Sequence, residues 1–578
     1  VTAGERFGAW RQPGGDHVFR LWAPAAQSVE LLLDGEALPM QAADDGSYWI
    51  RLVCAPGARY RYRIDGTLSV PDPASRWQPE GLNGPSAVLD EDGHAWQHAD
   101  WAGRPWEEAV LYEVHVGAVG GYAALQAQLP ALAAMGITAL ELMPLATFPG
   151  TRNWGYDGAL PYAPAAAYGS PDELKALIDH AHALGLMVLL DVVYNHFGPE
   201  GNHLPQYAPA FFRDDVSTPW GAAIDFREPH VQRFFIDNAL MWLREYRFDG
   251  LRLDAAHAIQ PPSFLAQLRE AIQTHGPSHQ VHLILENEHN TASLLADGYT
   301  AQWNDDFHNA LHVLLTGETE GYYADFAANP TAQLARVLAE GFAWQGEVNR
   351  LGHRRGEPSA GLSPAHFVIF AQNHDQIGNR AFGDRLQTLV SPERLQVALA
   401  LAALTPMIPL FFMGEPWGAR EPFLFFTDFD APLDQAVRDG RRAEFSLFSA
   451  FADPQAQASI PDPNALATFQ ASQAPLPSAE ARQQNPWLAA FRSVLTLRWQ
   501  YLVPQLRHAR SLGASVLGNG AVRAGWQLGD AQWWLAFNLG QTAVLADLPY
   551  GETVLQLGEV GHGQLLAPAA LLVRRVAA

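Results

Sequence analysis

Gly250-Leu251-Arg252-Leu253-Asp254 is the stretch on which the fold turns. Side chains alternate along a strand, so Arg252 and Asp254 share one face while Leu251 and Leu253 point the other way. A strand with leucines outward and charges inward fits a barrel wall, covered by helices outside and polar along its axis. Met187-Val188-Leu189-Leu190-Asp191-Val192-Val193-Tyr194-Asn195-His196 upstream and Leu285-Glu286-Asn287 downstream follow the same plan, apolar runs that end in polar groups. Strands are expected at 111–117, 138–144, 187–195, 250–255, 282–287, 302–305, 367–375 and 408–414. Between them, 171–184, 230–246, 262–274 and 392–404 carry the three- and four-residue apolar spacing of helices. Eight strands in one alternating series predict a (β/α)8 TIM barrel, closed by a helix at 486–501.

Outside this series the texture changes. His17-Val18-Phe19-Arg20-Leu21-Trp22, Val29-Glu30-Leu31-Leu32-Leu33 and Tyr60-Arg61-Tyr62-Arg63-Ile64 are short strand-like runs split by Gly, Pro and Asp turns. They predict an immunoglobulin-like β-sandwich, with the Pro-, Gly- and Ser-rich stretch from Pro71 to Ser86 as its ordered lead-out. Short strands return near the end, at 533–538 and 569–573. The chain therefore reads as multidomain α/β: a β-sandwich over 1–98, the barrel over 99–502 and an antiparallel β-domain over 503–578. Two connections, 197–227 and 416–486, are longer than ordinary loops, and long excursions after barrel strands usually shape an active-site face.

Composition narrows the chemistry. In 578 residues, 61 Asp and Glu against 37 Lys and Arg give a net charge of −24, which repels nucleic acid and anionic membranes and suits an uncharged substrate. Simple solubility explains the charge equally well. Cys54 is the only cysteine, so intrachain disulfides, Cys-rich zinc sites and iron–sulfur clusters are excluded. Lys175 is the only lysine and falls in a helical stretch, which leaves no Walker loop and no promising Schiff base. Asp191 and Asn195 are too few hard oxygen ligands for a calcium site, and neither a metal nor a cofactor is expected. No run of about 18 apolar residues suggests a membrane span. The opening Val1-Thr2-Ala3-Gly4-Glu5-Arg6 lacks the layout of a secretory signal, so the cytoplasm is the expected compartment. A signal removed earlier stays open.

What remains is carboxylate, histidine and aromatic surface. Functional groups of a barrel collect at the C-terminal ends of its strands. Those ends supply His196, Arg252, Asp254, Glu286, His374 and Asp375. A guanidinium beside Asp254 favours negative charge there, as a nucleophile needs, and Glu286 on the next strand is placed to be a protonated partner. Carboxyls on adjacent strands suit a separation of about 5 Å, the spacing of a retaining glycosidase. Taken singly, an Asp–Arg pair is commonly a structural ion pair, His196 an ordinary bonded histidine, and Asn373-His374-Asp375 a turn. Four such groups at four strand ends point to one site. Glu288 offers a second carboxylate two residues on; Glu286 is preferred because it ends the apolar run.

These segments, Asp191 to His196, Gly250 to Asp254, Glu286 with its strand, and Asn373-His374-Asp375, resemble the four signature regions of the α-amylase family of glycoside hydrolases. The resemblance implies Asp254 as nucleophile, Glu286 as acid/base and Asp375 as the group that fixes substrate ring distortion. It implies sugar contacts from Arg252, His196 and His374, and from Tyr156 and Asp157 in Asn153-Trp154-Gly155-Tyr156-Asp157-Gly158. Finer stretches are similar to family members that act on glucans ending in trehalose. These are Asp72-Pro73-Ala74-Ser75-Arg76, Trp303-Asn304-Asp305-Asp306-Phe307-His308, Glu320-Gly321-Tyr322-Tyr323, the run from Gln372 through Arg380, and Phe425-Phe426-Thr427-Asp428.

Such members cleave the α-1,4 bond beside the terminal trehalose of a maltooligosaccharide and release trehalose. That likeness adds Asp305, Asp306, His308 and Gln376 as substrate-binding candidates, and a synthase of the trehalose linkage as functional partner. The nearest alternatives are glycogen-branching and debranching enzymes, which share the leading sandwich. One segment departs from the family pattern. Ala118-Val119-Gly120-Gly121-Tyr122 is shorter than the usual first barrel loop, which puts substrate contacts or packing there in question.

Overall fold

A computed structural model describes residues 6–218, 221–446 and 448–577. The opening residues 1–5, read above for a targeting signal, lie outside the described residues. Eight parallel strands close into a barrel in chain order: β1 (Leu111–Val114), β2 (Ala139–Leu142), β3 (Met187–Val192), β4 (Gly250–Leu253), β5 (His282–Leu285), β6 (Ala301–Trp303), β7 (Phe367–Ile369) and β8 (Ile408–Phe412). Every expected strand is present, and every one stops two to six residues earlier than the apolar run suggested. The reason is local: at the mouth the chain leaves the ladder, and the polar groups that end each run sit on the departing turns.

Helices Pro171–Ala183, Pro229–Arg244, Ser263–His275 and Pro392–Leu404 cover the outside. The first shows why it begins where it does. Ser170 and Glu173 close a capping box, and Pro171 occupies the first turn, where no amide hydrogen is needed. Lys175 on this helix is buried, its ammonium 5.6 Å from the Tyr246 ring centroid, far from any strand end. Helix Pro486–Leu497 closes the series and runs into a π-helical turn, Arg498–Leu502. The buried Arg498 guanidinium donates there to the carbonyls of Ala403, Thr405 and Met407, just before β8.

Ahead of the barrel lies the sandwich. One sheet runs Gly8–Arg11, His17–Trp22, Ser47–Leu52, Gln41–Ala42; the other runs Glu36–Pro39, Val29–Leu33, Arg59–Ile64, Leu68–Val70, with Ser86–Ala87 paired to Arg59–Ile64. In Arg59–Ile64 the arginines point outward while Tyr60, Tyr62 and Ile64 are buried, as strict alternation requires. Both tyrosine hydroxyls donate to Asp72, at 2.7 and 3.3 Å, and burial pushes that carboxyl up to about 6. Arg76, four residues on, lies 4.7 Å over the Tyr162 ring and anchors the lead-out to the barrel. After the barrel comes an antiparallel five-stranded sheet in the order Arg510–Gly518, Ala521–Leu528, Ala531–Asn538, Ala570–Ala577, Glu552–Leu557. A continuous apolar core joins sandwich, barrel and this sheet.

The first long connection packs against the sandwich, where the Tyr207 carbonyl accepts from the Ala25 amide at 3.1 Å, and the second borders the mouth. The first holds a hairpin, Phe212–Thr218 with Gly221–Ile224. In the second, Arg441 donates to the Gly378 carbonyl at 2.6 Å, and Asp428 pairs with Arg152 at 2.5 Å. Among the described residues no helix is long and apolar enough to cross a membrane.

Candidate active site

Arg252 organises the mouth. Its register partner across the β3–β4 ladder is Asp191, so both side chains enter the barrel at one level. The guanidinium donates to Asp191 at 2.9 and 3.0 Å and to Asp254 at 2.7 Å, stands 4.0 Å from Glu286, and lies 4.1 Å over the Trp303 ring. One cation thus faces three carboxylates. Close packing of β4 on β5 makes this possible: a Cβ on Gly250 would fall 2.3 Å from the His282 carbonyl oxygen.

Asp254 and Glu286 are tied together by backbone. Asn195 donates its side-chain amide to the Asp254 carbonyl and carboxylate, at 2.8 and 3.0 Å. The next residue, Ala255, adopts φ +40°, a strained left-handed conformation for a residue with a Cβ. That turn aims its N–H at the Glu286 carboxylate, 2.6 Å away. Burial pushes the Glu286 carboxyl well above the usual carboxylate range; Arg252 opposes the shift, and Asp254 and Asp305 reinforce it. Glu288 is a different group, its side chain 69% exposed beside His257.

Asp375 reaches the mouth from the far side, on a short helix, His374–Gly378, capped by Asn373. It accepts from the Asn379 side chain at 2.6 Å. Asp305 lies between it and Glu286 electrostatically, pushed up to about 7 by burial and by the charge of Asp375. His374 is clamped: Glu113 accepts from its ring and its backbone N–H, and the Tyr156 hydroxyl sits 3.0 Å from the other ring nitrogen. Burial lowers its basicity, but Glu113 and then Asp375 raise it, and the net shift is upward. Tyr156 stacks on His374 and donates to Asp191 at 2.7 Å. Burial lifts Asp191 to about 7 despite Arg252. His196 contacts the Tyr156 carbonyl at 2.8 Å, and burial holds its ring below the usual imidazole range. Asp157 accepts from Asn153 at 2.7 Å.

Two candidates sit differently from expectation. Asp306 was expected to face a sugar. Its carboxylate is instead fully buried, accepting from Asn290 (2.9 Å), the Ala343 and Trp344 amides (2.9 and 3.1 Å) and Arg355 (3.0 Å). It supports the mouth from beneath. His308 is likewise internal, both ring nitrogens engaged, with the Ala371 carbonyl at 2.7 Å and the Tyr323 hydroxyl at 3.0 Å. Gln376 uses its amide oxygen in the capping box with Asn373.

The support role predicts a large effect. Asp306→Ala removes the acceptor for three donors and the ion-pair partner of the part-buried Arg355, and is expected to cost about 2–4 kcal/mol, read as a lowered urea midpoint. An unchanged midpoint would return Asp306 to the mouth.

Two inward carboxylates were not singled out from the sequence. Glu113 on β1 holds His374, and Glu141 on β2 is buried beside it, its carboxyl pushed well up by burial and by Glu113. A lone Glu inside an otherwise apolar strand, as in Leu111-Tyr112-Glu113-Val114 and Ala139-Leu140-Glu141-Leu142, was the available signal. The first barrel loop, Ala118 to Tyr122, is tied down on both sides. His115 accepts from the Ala118 amide at 2.9 Å and meets the Asn153 carbonyl at 2.7 Å, while Gly121 turns at φ +97° where a Cβ would lie 2.7 Å from the Tyr168 carbonyl oxygen.

A closed parallel barrel with acidic groups converging on one arginine at its C-terminal mouth defines a glycoside hydrolase of the α-amylase class. Family models agree: "Alpha amylase, catalytic domain" matches residues 90–208, "Carbohydrate-binding module 48 (Isoamylase N-terminal domain)" 6–76, and a domain of unknown function 509–573. A malto-oligosyltrehalose trehalohydrolase from Deinococcus radiodurans is 41% identical over 95% of this chain and 92% of its own. One from Rhizobium sp. (strain M-11) is 38% identical over 95% and 93%. A crystal structure from Salmonella typhimurium, presented as an alpha amylase, superposes with TM-score 0.93 at 43% identity, over 99% of this chain and all of that one. The chain belongs to the malto-oligosyltrehalose trehalohydrolase family.

Proposed function

We propose that this enzyme hydrolyses the α-1,4-glucosidic bond next to the terminal trehalose of a maltooligosyltrehalose, releasing trehalose and a maltooligosaccharide, with retention at the anomeric carbon. The observation that supports the mechanism is the hydrogen bond from the Ala255 amide to Glu286, which holds the acid at the residue next to Asp254, with the Arg252 guanidinium near both carboxyls. Adjacent carboxyls favour double displacement over direct attack by water, which needs about 6.5–9.5 Å between them. Glu286, held protonated by burial, donates to the glycosidic oxygen as Asp254 attacks the anomeric carbon. Water enters, Glu286 now takes its proton, and the sugar leaves with its α configuration restored. Asp375, across the mouth, is assigned to the hydroxyls of the distorted ring, with His374, His196, Tyr156 and Arg252 around it.

The choice of trehalose as leaving group is supported by the named relatives and by the polar rim around Asp305. A site with fixed donors and acceptors rejects a sugar that leaves them unpaired. The enzyme that installs the terminal linkage is the functional partner in this reading. Cys54 has no cysteine to pair with in the chain, which suits a reducing compartment, and we place the reaction in the cytoplasm. Incubation with maltotriosyltrehalose is expected to yield free trehalose and maltotriose. Chain transfer without trehalose release would instead identify a branching enzyme.

A further inference from the structure

Away from the mouth, a cavity of about 310 Å³ opens between the π-helical turn Arg498–Leu502 and the C-terminal sheet. Trp533 in its wall donates to the carbonyl of Leu404, at the end of the helix that leads into β8, so the cavity lies toward the N-terminal end of the barrel, opposite the catalytic groups. Its volume is at the small end of the range of about 300–1,000 Å³ typical of ligand sites.

The lining chemistry is specific. The Tyr501 ring leans on Trp533 with centroids 5.8 Å apart, and its hydroxyl is held by Glu552 at 2.9 Å, so the ring is fixed in orientation while remaining partly exposed. Around it stand Gln500, Gln505, Gln532, Asp530 and Arg575. The side chains of Gln500, Gln505 and Asp530 have no hydrogen-bond partner among the described residues, and Gln532 engages only its amide oxygen, with Trp534. Asp530 and Arg575 line the cavity, and Glu552, on the Tyr501 hydroxyl, stands 3.9 Å from Arg575, so negative charge slightly exceeds positive, which disfavours phosphate and nucleotide ligands. A fixed aromatic face beside planar amides, a carboxylate and a guanidinium matches a pyranose, which has an apolar face and a rim of neighbouring hydroxyls.

We propose that this cavity is a second α-glucan-binding site, which holds a short glucan segment with a ring against Tyr501 and its hydroxyls on the surrounding amides. It takes its ligand class from the reading that the mouth cleaves a glucan, and it adds a contact that catalysis does not use.

The test is titration calorimetry of maltoheptaose into the full chain carrying Asp254→Asn. Two independent classes of site are expected. Adding Tyr501→Ala is expected to remove one class, weakening it by about tenfold or more, as loss of an aromatic anchor does. Gln505→Ala, which leaves the ring in place, should weaken the same class by less. In the otherwise unaltered enzyme, Tyr501→Ala should leave kcat/KM for maltotriosyltrehalose unchanged. A single class that neither substitution alters overturns the proposal, as does an equal loss of turnover. If the mouth binds no glucan, the surviving class and its sensitivity to Tyr501→Ala still decide the cavity separately.

Discussion

Asp254→Asn is expected to lower kcat by at least three orders of magnitude, about 4 kcal/mol of barrier, while the protein stays folded. The substitution keeps the side-chain volume and one carbonyl oxygen, so Arg252 retains an acceptor at that position and its ion pair with Asp191. One of the two contacts from Asn195 goes to the backbone carbonyl and is indifferent to the change. What disappears is an oxygen able to bond to the anomeric carbon. Circular dichroism and the melting temperature should therefore match the unaltered enzyme while turnover collapses. Asp254→Gly sharpens the test, because it opens the attacking side to a small anion. With α-glucosyl fluoride and azide, that variant should form the β-azide, by one inversion. Near-normal turnover of Asp254→Asn would remove the nucleophile assignment, and with it the retaining mechanism.

How much of this was legible in the sequence depends on the kind of signal. The barrel strands were readable because each is an apolar run long enough to be buried on both sides, punctuated by a carboxylate or histidine. Their ends were not, because Val193, Tyr194 and Asn195 look as strand-like as Val192, although the ladder has already been left. Arg252 and Asp254 were placed together by alternation alone; the ladder carries Arg252, and Asp254, one residue past its end, still meets the same guanidinium. Asp305 and Asp306 show the limit. A helix starts at Asp305, so adjacent side chains diverge by about 100°, and nothing local says which turns inward. That choice depends on Asn290, Arg355 and the Ala343 amide, all distant in sequence. Glu113 was hidden for the same reason, since its partner His374 lies 261 residues away.

Glu286→Gln is expected to separate two roles that a single rate cannot. With a sugar leaving group the first step needs a proton, so cleavage of maltotriosyltrehalose should fall by about 10²–10⁴-fold, the range of a lost general acid. Fluoride departs with little help, so α-glucosyl fluoride should still load Asp254, and the glucosyl-enzyme should accumulate because no base activates water. Azide needs no base. It should restore turnover and yield the α-azide, the product of two inversions, opposite to that expected from Asp254→Gly. The pH dependence follows from the same residue. An acid works only while protonated, and burial raises Glu286, so the alkaline limb of kcat/KM in the unaltered enzyme should lie above the usual carboxylate range, activity falling as pH rises through it. That limb should be absent from the azide reaction of Glu286→Gln. Glu288→Gln, at an exposed position outside the Arg252 cluster, should change neither rate nor profile. A β-azide from the Glu286 variant, or an alkaline limb that persists in it, would assign the proton to another group, and Asp305, pushed to about 7 beside it, would be the first to substitute.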